Sequence, residues 1–182
     1  MLLFTLTMAA QEQYGFEKMN VSEDFAENGF QWFNHAELLA AGNKEKSNAM
    51  TIGWGGIGTL WGKPALTVYV AEKRYTKEFM DKAAYFTVMA FDVEQSRVLD
   101  YMGRHSGRNG DKAEALGLHT AYTEHGTPYY LEADMVIECA IMYAAPFEEK
   151  YFKNNVPKLM YNHFPAGPHT MYIGEVVNAW RK

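Results

Sequence analysis

Apolar and polar residues alternate along part of the second half of the chain. After Pro128, apolar residues occupy every second position of one segment, namely Met135, Ile137, Cys139, Ile141 and Tyr143. A period of two places such side chains on one face of a β-strand. The pattern predicts a long strand with one wholly apolar face and one mixed face.

Other segments have the composition of strands, and several are rich in β-branched or aromatic residues. We predict strands over residues 49–54, 65–70, 85–91 and 171–180. Residues 42–48 have turn composition, whereas residues 31–41 fit either a strand or a helix.

Three short segments have helical spacing instead. Residues 75–84 include a possible N-cap at Thr76, residues 92–103 begin like a capping box, and residues 111–116 are followed by Gly117.

The predicted strands outnumber the predicted helices, and the spacing of the strands is too irregular for repeated βαβ units. The sequence therefore predicts a mainly β protein, a closed or nearly closed antiparallel barrel with short helices covering its ends.

The chain has 182 residues, which suits one domain. We assign residues 30–182 to that domain and residues 1–29 to an N-terminal extension. Residues 1–10 form an apolar run that resembles part of a secretion signal, although no basic residue precedes Lys18. The run is either a vestigial export signal or a frayed N-terminus with a misplaced start. We expect a cytoplasmic protein, with export as the alternative, and no later segment has the ~18 apolar residues that span a membrane.

Composition narrows the function classes. Tyr 12, Phe 11 and Trp 4 make 15% of the chain aromatic, which favours β-structure and a site with flat walls. A net charge of −5 argues against nucleic acid as a partner. Cys139 is the single cysteine and the six histidines form no zinc pattern, so we predict neither a disulfide nor a metal site.

A glycine cluster covers residues 53–58 and matches the pattern G-x-G-x-x-G. A dinucleotide fingerprint needs a helix directly after it, and Gly62 with Pro64 leaves no room for one. Two interpretations stay open. The glycines form a bulge or turn between strands, or they let a flat ligand lie against a backbone without side chains.

Cations and glycines gather in residues 104–112, which stand out in an acidic protein. Ser106 and Arg108 beside flexible backbone amides suit a phosphate group, and a solvated surface loop explains them equally well. Arg74, Tyr75 and Thr76 follow a strand and precede a helix, where they would add donors for the same anion. The alternative there is a simple Thr cap with a surface arginine.

Several separated motifs occur together in one order: residues 48–58, 61–64, 74–79, 106–112 and 171–175. With these motifs the chain, from about Gly42 to its C-terminus, resembles the flavin reductase-like family, and within it the flavoredoxin branch. The resemblance implies an FMN-binding split β-barrel, antiparallel and of Greek-key type with short peripheral helices. It also implies a homodimer with the flavin near the subunit interface.

The resemblance also implies a set of cofactor-binding residues. Asn48, Met50, Thr51 and Trp54 would line the flavin and its ribityl-phosphate chain. The interpretation of the glycine cluster as a ligand platform adds the backbone N–H groups of Gly53, Gly55 and Gly56. Arg74, Tyr75 and Thr76 would lie near the phosphate, together with Ser106, Gly107, Arg108 and Lys112.

We therefore expect an FMN-dependent oxidoreductase that accepts electrons on the flavin, as a hydride from NAD(P)H or from a redox protein, and passes them to an acceptor. We expect no essential acid–base side chain, because the hard chemistry belongs to the cofactor. The alternative function is a non-enzymatic split-barrel module that binds flavin or another planar ligand.

Overall fold

The computed structural model describes residues 14–21, 36–92 and 95–182. The strands are β1 (Glu17–Lys18), β2 (Glu37–Gly42), β3 (Ser47–Ile52), β4 (Gly55–Leu60), β5 (Lys63–Ala71), β6 (Tyr85–Ala90), β7 (Thr120–Tyr122), β8 (Pro128–Tyr130), β9 (Met135–Pro146) and β10 (His169–Arg181). The helices are α1 (Lys77–Met80), α2 (Ser96–Arg104), α3 (Lys112–Leu116) and α4 (Val156–Asn162), with 3-10 turns at Gly107–Asn109 and Glu149–Tyr151. The apolar run 1–10 and most of the predicted extension lie outside the described residues.

Eight of these strands form one sheet in the order β3-β2-β6-β9-β10-β5-β4, with β1 also pairing to β10. Every pairing in it is antiparallel. Strands β7 and β8 form a separate hairpin. The four long segments predicted as strands, and the 42–48 turn between β2 and β3, are confirmed to within a few residues.

The sheet curls into a barrel. Met50 and Ile52 of β3 share one buried cluster with Leu66, Val68 and Val70 of β5, although four strands separate β3 from β5 in the hydrogen-bonded order. The predicted mainly β antiparallel barrel is therefore confirmed. A second cluster on its outer face joins α2, α3 and the β7–β8 hairpin through Met102, Ala113 and Tyr129.

Strand β9 differs from its predicted two-faced character. Ile137 and Cys139 pack inside the barrel, but Val136 and Glu138 on the opposite face are buried as well. Glu138 is fully buried because its carboxylate accepts hydrogen bonds from the hydroxyls of Thr123 and Thr127 and from the Asn178 amide. The β7–β8 hairpin covers the outer face of this part of β9, so both of its faces are buried.

The helices are confirmed unevenly. Helix α3 begins at the Asp111 cap, whose carboxylate accepts from the backbone N–H groups of Ala113 and Glu114, and it ends at Gly117 with φ 70°. Helix α1 covers only part of the predicted 75–84 segment, and Thr76 makes no side-chain capping bond there. None of the helices in the described ranges is long and apolar enough to cross a membrane.

The glycine cluster is largely a strand, since Gly55–Leu60 forms β4 and pairs with β5. Gly53 and Trp54 lie between β3 and β4, and the interpretation of the whole cluster as a bulge or turn is wrong. Strands β3 and β4 follow each other in the chain but lie at opposite ends of the sheet order.

Candidate functional site

A cavity of about 320 Å³, here called the loop cavity, lies where four chain segments meet. They are the first half of β3, the β5–α1 connection, the end of α2 with the loop after it, and the loop before β10. Nine of the predicted cofactor-binding residues line it: Asn48, Met50, Arg74, Tyr75, Thr76, Ser106, Gly107, Arg108 and Lys112.

A second cavity of about 180 Å³, here called the indole cavity, shares Met50, Arg74 and Phe164 with the first. It brings in the predicted residues Thr51, Gly53 and Trp54. Gly55 and Gly56 line neither cavity, because both lie along β4, opposite Val68 and Thr67 of β5. The structure therefore brings together twelve of the predicted residues and leaves these two outside.

The closest approach in the loop cavity joins the 106–109 loop to β3. A Cβ atom on Gly107 would stand 2.0 Å from Asn48 Oδ1 and 3.2 Å from the Tyr75 ring, so a larger residue there must displace the Asn48 amide. The Asn48 amide donates to the Thr76 hydroxyl at 2.7 Å. Thr76 has helical backbone angles (φ −59°, ψ −25°) and makes no capping bond to α1, and its contact with Asn48 joins two of the predicted segments.

Lys112 is a buried cation beneath this wall, with only 7% of its surface exposed. Its Nζ donates to the carbonyl oxygens of Ala49 at 2.6 Å and Met102 at 2.9 Å. An ammonium group has three donors, so one N–H is left for a ligand. Burial, aided by repulsion from Arg74, lowers the pKa of Lys112 to about 8.

The two arginines differ in their environment. Arg74 is half-buried and donates to the Gly103 carbonyl at 2.9 Å, which fixes the start of α1 against the end of α2. Arg108 is more exposed and lies 4.7 Å above the centre of the Tyr75 ring, where its guanidinium pairs with Glu78. The charge of Arg108, at the rim of the cavity, is thus partly neutralised by Glu78. Arg74 and Lys112, here called the inner cations, bond to backbone carbonyls.

Sequence reasoning missed the fourth wall, residues 164–166. The Lys73 N–H donates to Ala166 O at 3.0 Å and the Glu72 N–H to Pro168 O at 2.8 Å, so this loop extends the pairing between β5 and β10. A signal was available, because residues 163–168 place an aromatic and two prolines directly before the last strand.

His169 is a second residue that was missed. It is 7% exposed, and its ring centre lies 5.1 Å from that of Trp54 and 5.2 Å from that of Phe164. Its Nδ1 meets the Tyr161 hydroxyl at 3.0 Å. Burial, with repulsion from Arg74, lowers the pKa of His169, so a neutral aromatic wall faces the indole cavity.

The residues present fit a planar ligand with an anionic end. A glycine without space for a Cβ and a buried ammonium with a free donor lie at the loop cavity. Aromatic rings line the adjoining indole cavity. The combined space is of the size that small-molecule sites have, about 300–1,000 Å³. Within the described ranges, no group of three His, Cys, Asp or Glu side chains is placed to hold a metal ion.

A family model described as "Flavin reductase like domain" matches residues 37–182, so the chain belongs to the flavin reductase-like family. This confirms the predicted resemblance. A comparison with curated proteins gave no match.

Solved structures agree with this assignment. The chain is similar to flavoredoxin from Methanosarcina acetivorans (24% identity, 81% of this chain and 68% of that chain, TM-score 0.64). It is also similar to flavoredoxin of Desulfovibrio vulgaris (25% identity, 81% and 69%, TM-score 0.63). A third similar structure is an FMN-binding domain of a flavin reductases-like enzyme from Shewanella baltica (18% identity, 91% and 76%, TM-score 0.67).

Proposed function

We propose that the chain is an FMN-dependent oxidoreductase that accepts electrons on the bound flavin and passes them to an acceptor. Family membership supports a flavin-related redox function, and similarity to flavoredoxins and to an FMN-binding domain supports FMN in particular. The observation that carries the proposal is the loop cavity, where Arg74, Lys112 and the Gly107 backbone converge beside a wall of aromatic rings.

In this proposal the phosphate lies in the loop cavity. The spare N–H of Lys112, the Arg74 guanidinium, the Ser106 hydroxyl and, from the rim, the Arg108 guanidinium are its donors, since charge-assisted hydrogen bonds are the strongest available to a phosphate. Met50 and Phe164 line both cavities and form the apolar passage between them. The flavin ring lies towards the indole cavity, whose walls include Trp54 and His169.

FMN, when bound, supplies the electron-accepting chemistry, and the chain positions it and excludes water. We propose that the donor, NAD(P)H or a redox protein, uses the same cleft. Burial, with repulsion from Arg74 as the smaller cause, lowers the pKa of Lys112 and of His169, and the Arg74 and Lys112 cations at the loop cavity favour an anionic group such as the FMN phosphate.

We further propose a homodimer. Trp54, Trp61 and Tyr143 are large apolar side chains that expose between 43% and 68% of their surface, and a subunit interface would remove such surface from water. Trp54 borders the indole cavity, so a subunit interface there would cover the flavin.

A cytoplasmic location is consistent with Cys139, which is a buried free thiol. The division into an extension 1–29 and a domain 30–182 stays a prediction.

The absorption spectrum of the purified protein tests the central proposal. We expect a flavin spectrum as isolated or after titration with FMN, and a preparation that binds no FMN would refute it. Anaerobic NADH and NADPH should bleach the bound flavin. If neither does, the donor is a redox protein or the chain is a non-enzymatic flavin-binding module.

Arg108→Ala tests the location of the phosphate. Because riboflavin lacks the phosphate, the variant should weaken FMN binding more than riboflavin binding, and equal losses would contradict the assignment. Lys82→Ala is the control, since Lys82 is an exposed lysine that lines neither cofactor cavity.

A further inference from the structure

Glu37 is a buried carboxyl group that the proposed redox function does not use. It opens β2, is 5% exposed, and its Oε2 has no hydrogen-bond partner within the part of the chain that the structure describes. A buried polar atom without a partner costs about 1–3 kcal/mol, so its retention needs a reason.

Glu37 lines a cavity of about 660 Å³, here called the Glu37 cavity. One part of its wall is apolar, formed by Ala36, Ala90, Phe91 and Leu99. The other part is acidic, because Asp92 and Asp100 border it together with a single described cation, Arg104. Arg104 already pairs with Asp100 at 2.5 Å.

The Glu37 cavity is separate from the cofactor cavities but adjoins them. Thr51 lies between them, and its hydroxyl donates to the Leu99 carbonyl. Gly103 closes the same partition, since a Cβ there would meet Thr51 at 3.2 Å. Thr51 also lines the indole cavity, and Arg104 also lines the loop cavity. The Glu37 cavity and the two cofactor cavities are therefore separated by a single layer of residues.

We propose that the Glu37 cavity is a second binding site, which takes a small organic cation such as an amine or amidine on an apolar body, with Glu37 as its counter-ion. An N–H donor from the ligand would satisfy Glu37 Oε2, and burial of the opposite charge would compensate the cost of ionising the carboxyl group. Phe91 and Leu99 would cover the apolar body. Asp92 and Asp100 make the entrance unfavourable for anions.

Proton release distinguishes this site from a non-specific groove. Burial raises the pKa of Glu37 to about 8, so at pH 7 the free carboxyl group is mostly protonated. A cation that pairs with Glu37 must expel that proton. Binding should therefore strengthen as the pH rises from 6.5 to 8.5. The other charged groups facing the cavity are Asp92, Asp100 and Arg104.

The experiment is calorimetric titration of the full chain, saturated with FMN, with benzamidinium as the probe and neutral benzamide as its isostere. Measurements at pH 7 in two buffers of different ionisation enthalpy should give release of about 0.9 proton per bound benzamidinium. Benzamide should bind at least about tenfold more weakly. Absence of saturable benzamidinium binding, equal binding of benzamide, or no proton release would overturn the proposal.

Variants locate the site. Glu37→Gln should abolish benzamidinium binding and leave FMN binding unchanged, whereas Glu114→Gln, on the exposed face of α3, should change neither. If Glu37→Gln does not fold, Glu37→Asp keeps the carboxylate and should retain proton release at lower affinity. Benzamidinium that binds Glu37→Gln as well as the wild type, or that displaces FMN, occupies another place and refutes the assignment.

Discussion

Gly107 lies so close to Asn48 that the missing Cβ would stand 2.0 Å from the Asn48 Oδ1 atom. Asn48 in turn donates to Thr76 at 2.7 Å. The Asn48 amide can therefore keep its contact with Thr76, which joins the start of β3 to the start of α1, only while residue 107 leaves this space free.

Gly107→Ala should weaken FMN binding at least about tenfold, because the methyl group must push Asn48 away from Thr76. Flavin fluorescence titration measures the loss. Gly58→Ala is the matched control, since a Cβ at Gly58 meets nothing within 4 Å, and it should bind FMN normally. Wild-type affinity in Gly107→Ala would show that the wall is adaptable.

Lys112 predicts a pH dependence of FMN binding. Its pKa of about 8 in the free protein lies below that of an ordinary lysine, and a bound phosphate would raise it again. FMN binding near pH 8 should therefore take up protons, and FMN affinity should fall about tenfold between pH 7.5 and 9.5.

Riboflavin, without the phosphate, should show little of this decline. Lys112→Met should bind FMN weakly at every pH, with no such slope, and Lys82→Met should keep the wild-type profile. A parallel measurement of unfolding is needed, because Lys112 also bonds to Ala49 and Met102. A slope that persists in Lys112→Met would assign the titration to another group.

Glu78 should oppose FMN binding, because it pairs with the Arg108 guanidinium at the rim. Glu78→Gln frees Arg108 and should increase FMN affinity about twofold to fivefold at low salt, as expected for an exposed ion pair of about 0.5–1 kcal/mol. Riboflavin affinity should not change. A loss of FMN affinity would mean that Glu78 holds Arg108 in its binding position instead.

Glu37 should make the protein less stable as the pH rises. Its folded-state pKa of about 8 exceeds its ordinary value of 4.5, so the folded state binds the extra proton and loses stability between about pH 5 and 8. Denaturant unfolding at pH 5 and pH 8 should show that Glu37→Gln gains roughly 3–4 kcal/mol relative to the wild type over this interval. Parallel pH profiles would contradict the raised pKa.

The barrel was largely predictable because strand periodicity and turn composition act locally. The 65–70 and 171–180 segments carry enough β-branched and aromatic residues to mark strands wherever they lie. The outer burial of Glu138 was not predictable, since it depends on how the β7–β8 hairpin folds back over β9 and brings Thr123 and Thr127 to the carboxylate.

The sequence predicted which residues come together at the candidate site better than it predicted their contacts, and their role in binding the cofactor stays a prediction. The motifs around Asn48, Arg74 and Ser106 do meet at one cavity, as the resemblance implied. Gly55 and Gly56 fall outside because a glycine pattern does not tell an edge strand from a ligand platform. Phe164 lines the cavity because residues 72–73 pair with 166–168, and although residues 163–168 have a distinctive composition, it does not reveal which segment they pair with.

The inner cations are tethered to the main chain before any cofactor arrives, since Arg74 bonds to Gly103 and Lys112 to Ala49 and Met102. A ligand that enters such a preorganised binding site causes little conformational change, and the site keeps its structure when the ligand leaves. The same architecture therefore suits turnover by exchange, in which one flavin molecule leaves and the next arrives, as well as long-term retention of a single flavin.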